Sequence, residues 1–357
     1  MFHPSAVIKG MKFVVPGMCI VHQLLAGRDF ALARLAAPGS ARRAVFQTAA
    51  QMRNYVYCVV DERSGAACLV DACWDVDGII LALRARGILP EDITASVYTH
   101  HHFDHTGGRI PKVMTGGREV IVDGMVEVLA ALPCVEVVGI GALDARQAAK
   151  QCGVPTEAIW QIFDDEVVWR SNGCEIRSWN TPGHTAGSIS LLCKDTKTSE
   201  PSIAVITGDT LFIGSCGRFD LPDSNAEDLL RSLSRLSTLP EASLVYPGHN
   251  YSTSSHSTIG EESSTNAMMM EAVRFAARES NPQPHVLEKH SVSSLPEYVP
   301  LPAYLSAAKS MHAAWKNCTG HETNASSQCC SCCFDASSYG FGTADGSGCA
   351  KSSTSRI

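Results

Sequence analysis

Tyr98 to Gly108 reads "YTHHHFDHTGG", and four histidines and one aspartate fall within six of those residues. Neighbouring imidazoles that compete for protons repel one another. Such crowding calls for a cation that several neutral rings can share. Three further stretches carry donors of the same type: "NTPGHTAGS" with His184, "VITGDTLF" with Asp209 and "VYPGHNYS" with His249. Together His100, His102, Asp104, His105, His184, Asp209 and His249 offer five imidazoles and two carboxylates. That set suits two divalent metal ions, since one zinc takes about four ligands. Zinc is the first expectation and iron the alternative. Two ions about 3.5–4 Å apart need a shared bridge. Asp209, alone on its loop, is the carboxylate placed to supply it. Asp104 and Asp209 are the expected catalytic carboxylates. His101 stands between two candidate ligands and is expected to point the other way.

Donors so far apart in the chain must be gathered by the fold. Each donor stretch follows directly on a short apolar strand: "ASVYT", "EIRSWN", "IAVIT" and "SLVYP". Loops at strand ends can converge on one edge of a layered fold. A glycine or proline at or near the start of each loop permits the sharp turn. "NYVYCVVD" (Asn54 to Asp61) and "AACLVD" (Ala66 to Asp71) read as two strands around a turn containing Gly65. "VDGIILALRARG" predicts a helix with Gly87 at its end. "SISLLC" is another strand. "AEDLLRSLSRLSTLP" puts Leu229, Leu230, Leu233 and Leu236 on one helical face, closed by Pro240. Strands mixed with surface helices predict an α/β layered fold with some antiparallel pairing.

The chain has 357 residues, 45% of them apolar, enough for one large domain or two modest ones. A net charge of −7 argues against nucleic acid as a partner, because phosphate binding needs a basic face. A small anionic substrate needs only one or two local cations. Of 15 cysteines, Cys19, Cys58, Cys68, Cys73, Cys134, Cys152, Cys174, Cys193 and Cys216 are scattered through the body without a CxxC pair. Most lie in apolar runs such as "YVYCVV", which predicts buried, reduced thiols and an intracellular, cytoplasmic protein. No apolar run reaches the ~18 residues of a transmembrane helix. "FVVPGMCIV" is interrupted by Pro16 and Gly17. Residues 1–50 hold six Lys/Arg and one acid, Asp29, so a mitochondrial address is the lesser expectation.

From about Cys19 to about Met270 the sequence resembles the metallo-β-lactamase superfamily. The family pattern THxHxDHxGG is matched by Thr99 to Gly108, and PGHT, GDTLF and a terminal GH follow in order. The resemblance implies an αββα sandwich, two mixed β-sheets flanked by helices. It also implies a ligand split: His100, His102 and His184 on one metal, Asp104, His105 and His249 on the other, Asp209 between them. Within the superfamily the chain is similar to the glyoxalase II-like branch. "GDTLFIGSCGRFD" (Gly208 to Asp220) is similar to a loop that carries a Cys-Gly-Lys/Arg motif in hydroxyacylglutathione hydrolases. There the basic residue meets a glutathione carboxylate, which makes Arg218 a substrate-binding candidate, with Phe219 and Tyr251 beside it. Glyoxalase II itself continues into a helical domain, whereas here the corresponding region is short and proline-rich. "CGRxD" looks equally like the persulfide dioxygenase branch.

Two chemistries therefore share one set of residues. In the first, two metals lower the pKa of a shared water, and the resulting hydroxide attacks a thioester carbonyl of the S-lactoylglutathione kind. In the second, His100, His184 and Asp209 form a facial triad on a single iron that oxidises glutathione persulfide. Either substrate is a small thiol-derived molecule.

The expected organisation is an N-terminal extension (1–18), a catalytic domain (19–281), a Pro-rich linker with a short helix (282–317) and a disordered Ser/Gly/Cys-rich tail (318–357). The tail holds "CCSCC" (Cys329 to Cys333) and ends in Ser355-Arg356-Ile357, a tripeptide of the peroxisomal-address type.

Overall fold

Tyr55–Asp61 is apolar at every position but its last, the pattern of a strand covered on both faces. The computed structural model, which describes residues 13–14, 19–112, 117, 119–198 and 203–278, places it in that way. Val56, Cys58 and Val60 face a core under helices, while Tyr55, Tyr57 and Val59 face a core shared by two sheets. The linker and tail segments read from the sequence, "CCSCC" and Ser355-Arg356-Ile357 included, lie outside the described residues.

One sheet holds β1 (Phe13–Val14), β2 (Cys19–Leu25), β3 (Tyr55–Asp61), β4 (Ala67–Val70), β5 (Ile93–Tyr98) and, beyond a small hairpin of β6 (Gly108–Arg109) and β7 (Ile121–Val122), β8 (Val138–Gly141) and β9 (Ile159–Ile162). β1 to β4 pair antiparallel; β4, β5, β8 and β9 run parallel. The other sheet holds β10 (Val167–Arg170), β11 (Cys174–Asn180), β12 (Ile189–Asp195), β13 (Ile203–Gly208) and, beyond the ribbon β14 (Leu211–Phe212) and β15 (Ser215–Cys216), β16 (Leu244–Pro247) and β17 (Ser257–Thr258). Within it only β13 and β16 pair in parallel.

Helices cover both outer faces. α1 (Ala41–Met52), α2 (Val76–Arg84), the single turn α3 (Phe103–Thr106), α4 (Met125–Ala131) and α5 (Ala145–Cys152) belong to the first sheet's side. α6 (Ala226–Leu236), α7 (Ile259–Thr265) and α8 (Ala267–Arg278) belong to the second's. Three apolar layers result: helix–sheet, sheet–sheet and sheet–helix, an αββα sandwich. In α6, Asn225 caps the amides of Glu227 and Asp228, and Leu229, Leu233 and Leu236 are fully buried.

Phe13–Val14, inside the stretch read as an extension, adds an edge strand to β2. Two expectations change. The helix expected to run to Gly87 ends at Arg84, and Gly87 serves the turn beyond it in a left-handed conformation. Cys19 and Cys174, expected as free thiols, form a disulfide between the two sheets with Cα atoms 5.4 Å apart. Partners 155 residues apart leave no local spacing signal.

The first helical layer buries two carboxyls. Glu127 accepts from the Gly124 amide at 2.8 Å, and Asp123 accepts from the Val76 amide at 3.3 Å. Burial pushes Glu127 up to about 7, and burial together with the Glu127 charge raises Asp123. A carboxyl raised on folding adds stability that is complete below its unfolded value, ~4.5, and is lost as pH rises through the folded one. Glu127→Gln keeps the acceptor and removes the titration. Urea unfolding is expected to find the variant equal to the parent at pH 5 and more stable by about 1–2 kcal/mol at pH 8.

Candidate metal centre

All four donor stretches open at one edge of the sandwich, beyond β5, β11, β13 and β16. Backbone hydrogen bonds tie these loops together across the sheets. The Ile189 amide donates to Thr99 O (2.9 Å), Gly248 to Gly208 O (2.8 Å) and Tyr55 to Gly248 O (2.8 Å). Gly248 is required by crowding: a Cβ there would run into the Asp209 carboxylate and touch the His105 ring.

The seven donors meet. His102 Nδ1 lies 3.0 Å from His100 Nε2 and 2.9 Å from His184 Nε2. On the other side, His105 Nε2 and His249 Nε2 are 3.3 Å apart. Asp104 Oδ2 is 3.6 Å from His105 Nε2 and 3.4 Å from His249 Nε2. Asp209 faces both groups. Its Oδ1 is 3.4 Å from His105, and its Oδ2 is 3.6 Å from His184 and 3.3 Å from His249.

The outer face of most rings is occupied. His105 Nδ1 bonds Asp71 Oδ2 (2.9 Å), His184 Nδ1 bonds Arg218 O (2.8 Å) and His249 Nδ1 bonds Met52 O (2.7 Å). His100 Nδ1 meets Thr99 Oγ1 (3.1 Å), a hydroxyl that itself donates to Asp71. These acceptors place the ring protons outside and turn the other nitrogens inward, the orientation that metal-ligating histidines need. Asp209 Oδ1 is buried without a hydrogen-bond partner. A tetrahedral zinc with bonds of ~2.0–2.1 Å sets its donors ~3.3–3.4 Å apart. The donor set, its spacing and the unpartnered oxygen all fit metal.

Electrostatics divides the site. Burial, then the neighbouring imidazoles, pushes His100 well below its usual value and His102 down to about 4, so both stay neutral. Burial also opposes charge on His105, but Asp209, Asp104 and Asp71 outweigh it and raise that ring to about 10. His249 is raised against burial by Asp209 and Asp104. Asp209 and Asp104 resist burial and are held below the usual carboxylate range by His249 and His105.

The substrate candidates are spread over the mouth. Tyr251 stacks on His249 (4.8 Å between centroids, 9° between planes), and Phe212 meets both edge-on. Phe219 is exposed. The Arg218 guanidinium pairs with Asp220 through two bonds of 2.9 and 3.0 Å at the exposed rim. Its backbone carbonyl, which holds His184, is the part of Arg218 that touches the donor cluster.

Sequence reasoning missed the supports. Asn54 Nδ2 donates to Asp104 Oδ2 (3.1 Å), while Asn54 Oδ1 accepts from Trp74 Nε1 (3.0 Å), which fixes the direction of the amide. Its only signal is a polar residue at the mouth of an apolar strand. Asp71, at the end of β4, binds Thr99 and His105. Asn54→Ala is expected to weaken metal at Asp104, His105 and His249 by ~10–100-fold and to spare the His100, His102 and His184 group. Chelator competition resolves the two affinities.

An αββα sandwich that gathers five imidazoles and two carboxylates at one edge is a metal-binding fold. The family profile described as the metallo-beta-lactamase superfamily matches residues 52–108 and 180–249, and the chain belongs to that superfamily. It is 33% identical over 198 residues, 56% of its length and 62% of the relative's, to the hydroxyacylglutathione hydrolase of Alkalilimnicola ehrlichii. It is 27% identical to the probable polyketide biosynthesis zinc-dependent hydrolase BaeB of Bacillus velezensis, over 56% of this chain and 73% of that one. Among solved structures, ETHE1 from Myxococcus xanthus is 26% identical with a TM-score of 0.45, covering 71% of this chain and 94% of its own. The chain thus spans about six-tenths of the length of the first hydroxyacylglutathione hydrolase it matches.

Proposed function

We propose that this chain is a metal-dependent hydrolase that cleaves a thioester of the hydroxyacylglutathione type. The observation that carries the proposal is the meeting of seven donors, Asp209 among them, at one edge of the sandwich, with Asp209 Oδ1 buried and without a hydrogen-bond partner. The 33% identity to a hydroxyacylglutathione hydrolase supports the choice of thioester. We assign His100, His102 and His184 to one ion, Asp104, His105 and His249 to a second, and Asp209 to both. Zinc is the favoured metal, in keeping with the zinc-dependent relative.

When bound, two such ions supply a Lewis acid for the carbonyl oxygen and a water acidic enough to attack at neutral pH. The chain's own residues do the rest. Thr99, Asp71, Arg218 O and Met52 O hold the rings in one tautomer. Asp104 and Asp209 remain charged and orient the attacking water by accepting its protons. The new C–O bond forms, and the C–S bond breaks to release a thiolate, which at a pKa of ~8.5 leaves without a strong acid. Of the water's two protons, one ends on the released sulfur and the other goes to solvent, leaving a carboxylate product. Phe212 and Tyr251 wall the mouth on the His249 side. Arg218 receives an anionic tail only by exchanging Asp220 for it.

Anaerobic purification, metal analysis and assays with S-lactoylglutathione and glutathione persulfide test the proposal. Two zinc-like ions per chain with thioester cleavage are expected. One iron per chain with oxygen consumption on the persulfide overturns it.

A further inference from the structure

His101 is the histidine of the opening cluster with no place in the proposed ligand set. It is buried and turned toward two aspartates, with Nδ1 3.0 Å from Asp144 Oδ2 and Nε2 3.1 Å from Asp223 Oδ2. The Nδ1 contact is an ion-pair distance outside hydrogen-bonding geometry, because that nitrogen has no hydrogen-bond partner. Asp144 is the fixed end. It is buried and accepts from the His101 amide (2.8 Å), Thr185 Oγ1 (2.7 Å) and the Gly187 amide (2.8 Å), which joins the loops of His100 and His184. Asp223 is the loose end, 43% exposed, on the loop that carries Arg218 and Phe219.

That loop is pinned at both ends to the loops that carry the donors. At its start, Gly217 lies where a Cβ would run into Asp209 O, and Arg218 O accepts from His184. Near its end, Asp223 meets His101, and the Asn225 amide donates to Gly183 O (2.8 Å). The residues between the pins are the ones that project from the rim. We propose that His101, fixed by Asp144, is a positioning residue: through Asp223 it holds the 217–224 loop over the mouth and sets substrate affinity. This deepens the thioester reading and rests on it for the identity of the substrate.

The test compares metal-loaded full-length parent, Asp223→Ala and Asp223→Asn. Asp223 is exposed enough for its replacement to leave the fold intact. Asp223→Ala is expected to speed amide exchange across 217–224 and to raise KM for S-lactoylglutathione about tenfold, with kcat within about twofold and metal content unchanged. Asp223→Asn, which keeps the shape but not the charge of the carboxylate 3.1 Å from His101 Nε2, is expected to recover only part of both. Unchanged exchange in Asp223→Ala overturns the proposal whatever the substrate. Faster exchange in a protein whose parent cleaves no thioester upholds the loop anchor and removes the substrate reading instead.

Discussion

Asp209→Asn is expected to lower thioester cleavage by ~10³-fold or more, a barrier increase of ~4 kcal/mol, and to reduce bound metal from two ions per chain to one or none. The size follows from position. Asp209 reaches both halves of the cluster: Oδ1 faces His105, and Oδ2 faces His249 of the same half and His184 of the other. An amide keeps the shape but loses the charge and puts an N–H where one lone pair must point. The loss is also electrostatic. Asp209 is the foremost carboxylate raising His105 and His249, so its removal leaves those rings closer to neutral in the metal-free protein. Metal content by elemental analysis and kcat/KM on S-lactoylglutathione are the two readouts. A variant with two ions and parental turnover removes Asp209 from the centre. The metal readout stands independently of the substrate.

Legibility in the sequence followed the physics of each feature. The donor loops were readable because a strand, a glycine or proline and a ligand-type residue occur together, as in "SLVYPGH", within a few residues. The sandwich was readable where burial writes a period, as in Leu229, Leu233 and Leu236 of α6. Features made by long-range contact left no such trace. Asn54 looks like the start of an ordinary strand, yet its amide meets Asp104, 50 residues on. Asp144 sits in an unremarkable turn before α5 and gains meaning only from His101, Thr185 and Gly187. Arg218 was readable as a cation near the site, and Asp220, two residues on, as the surface carboxylate it could pair with, which is the pair the structure forms. α1, α4 and α5 carry short or alanine-rich faces whose burial depends on the sheet beneath them.

Metal removal should have the second-largest effect, and the two halves of the centre should differ in how it depends on pH. Each ion that binds only the folded chain stabilises it by about 4 kcal/mol when free metal is 1,000 times its Kd. For a domain of this size that is ~8–16 °C in melting temperature per site. In the half built on His100 and His102, burial and mutual repulsion keep both rings below their usual value. Metal displaces no proton from those two rings, so they add no pH dependence between pH 6 and 8. In the half built on His105 and His249, Asp209 and Asp104 raise both rings despite burial, His105 to about 10, which favours bound protons in the metal-free chain. Metal must displace them, so affinity rises with pH, by up to tenfold per unit for each proton released. From pH 6 to 8 that amounts to about 2.7 kcal/mol per proton. Titration with zinc at fixed free concentration should therefore load one ion at pH 6 and two at pH 8, with melting temperature rising in the same order. Equal loading of both halves at pH 6 would mean that His105 and His249 are neutral in the metal-free chain, and that Asp209 and Asp104 do not govern them.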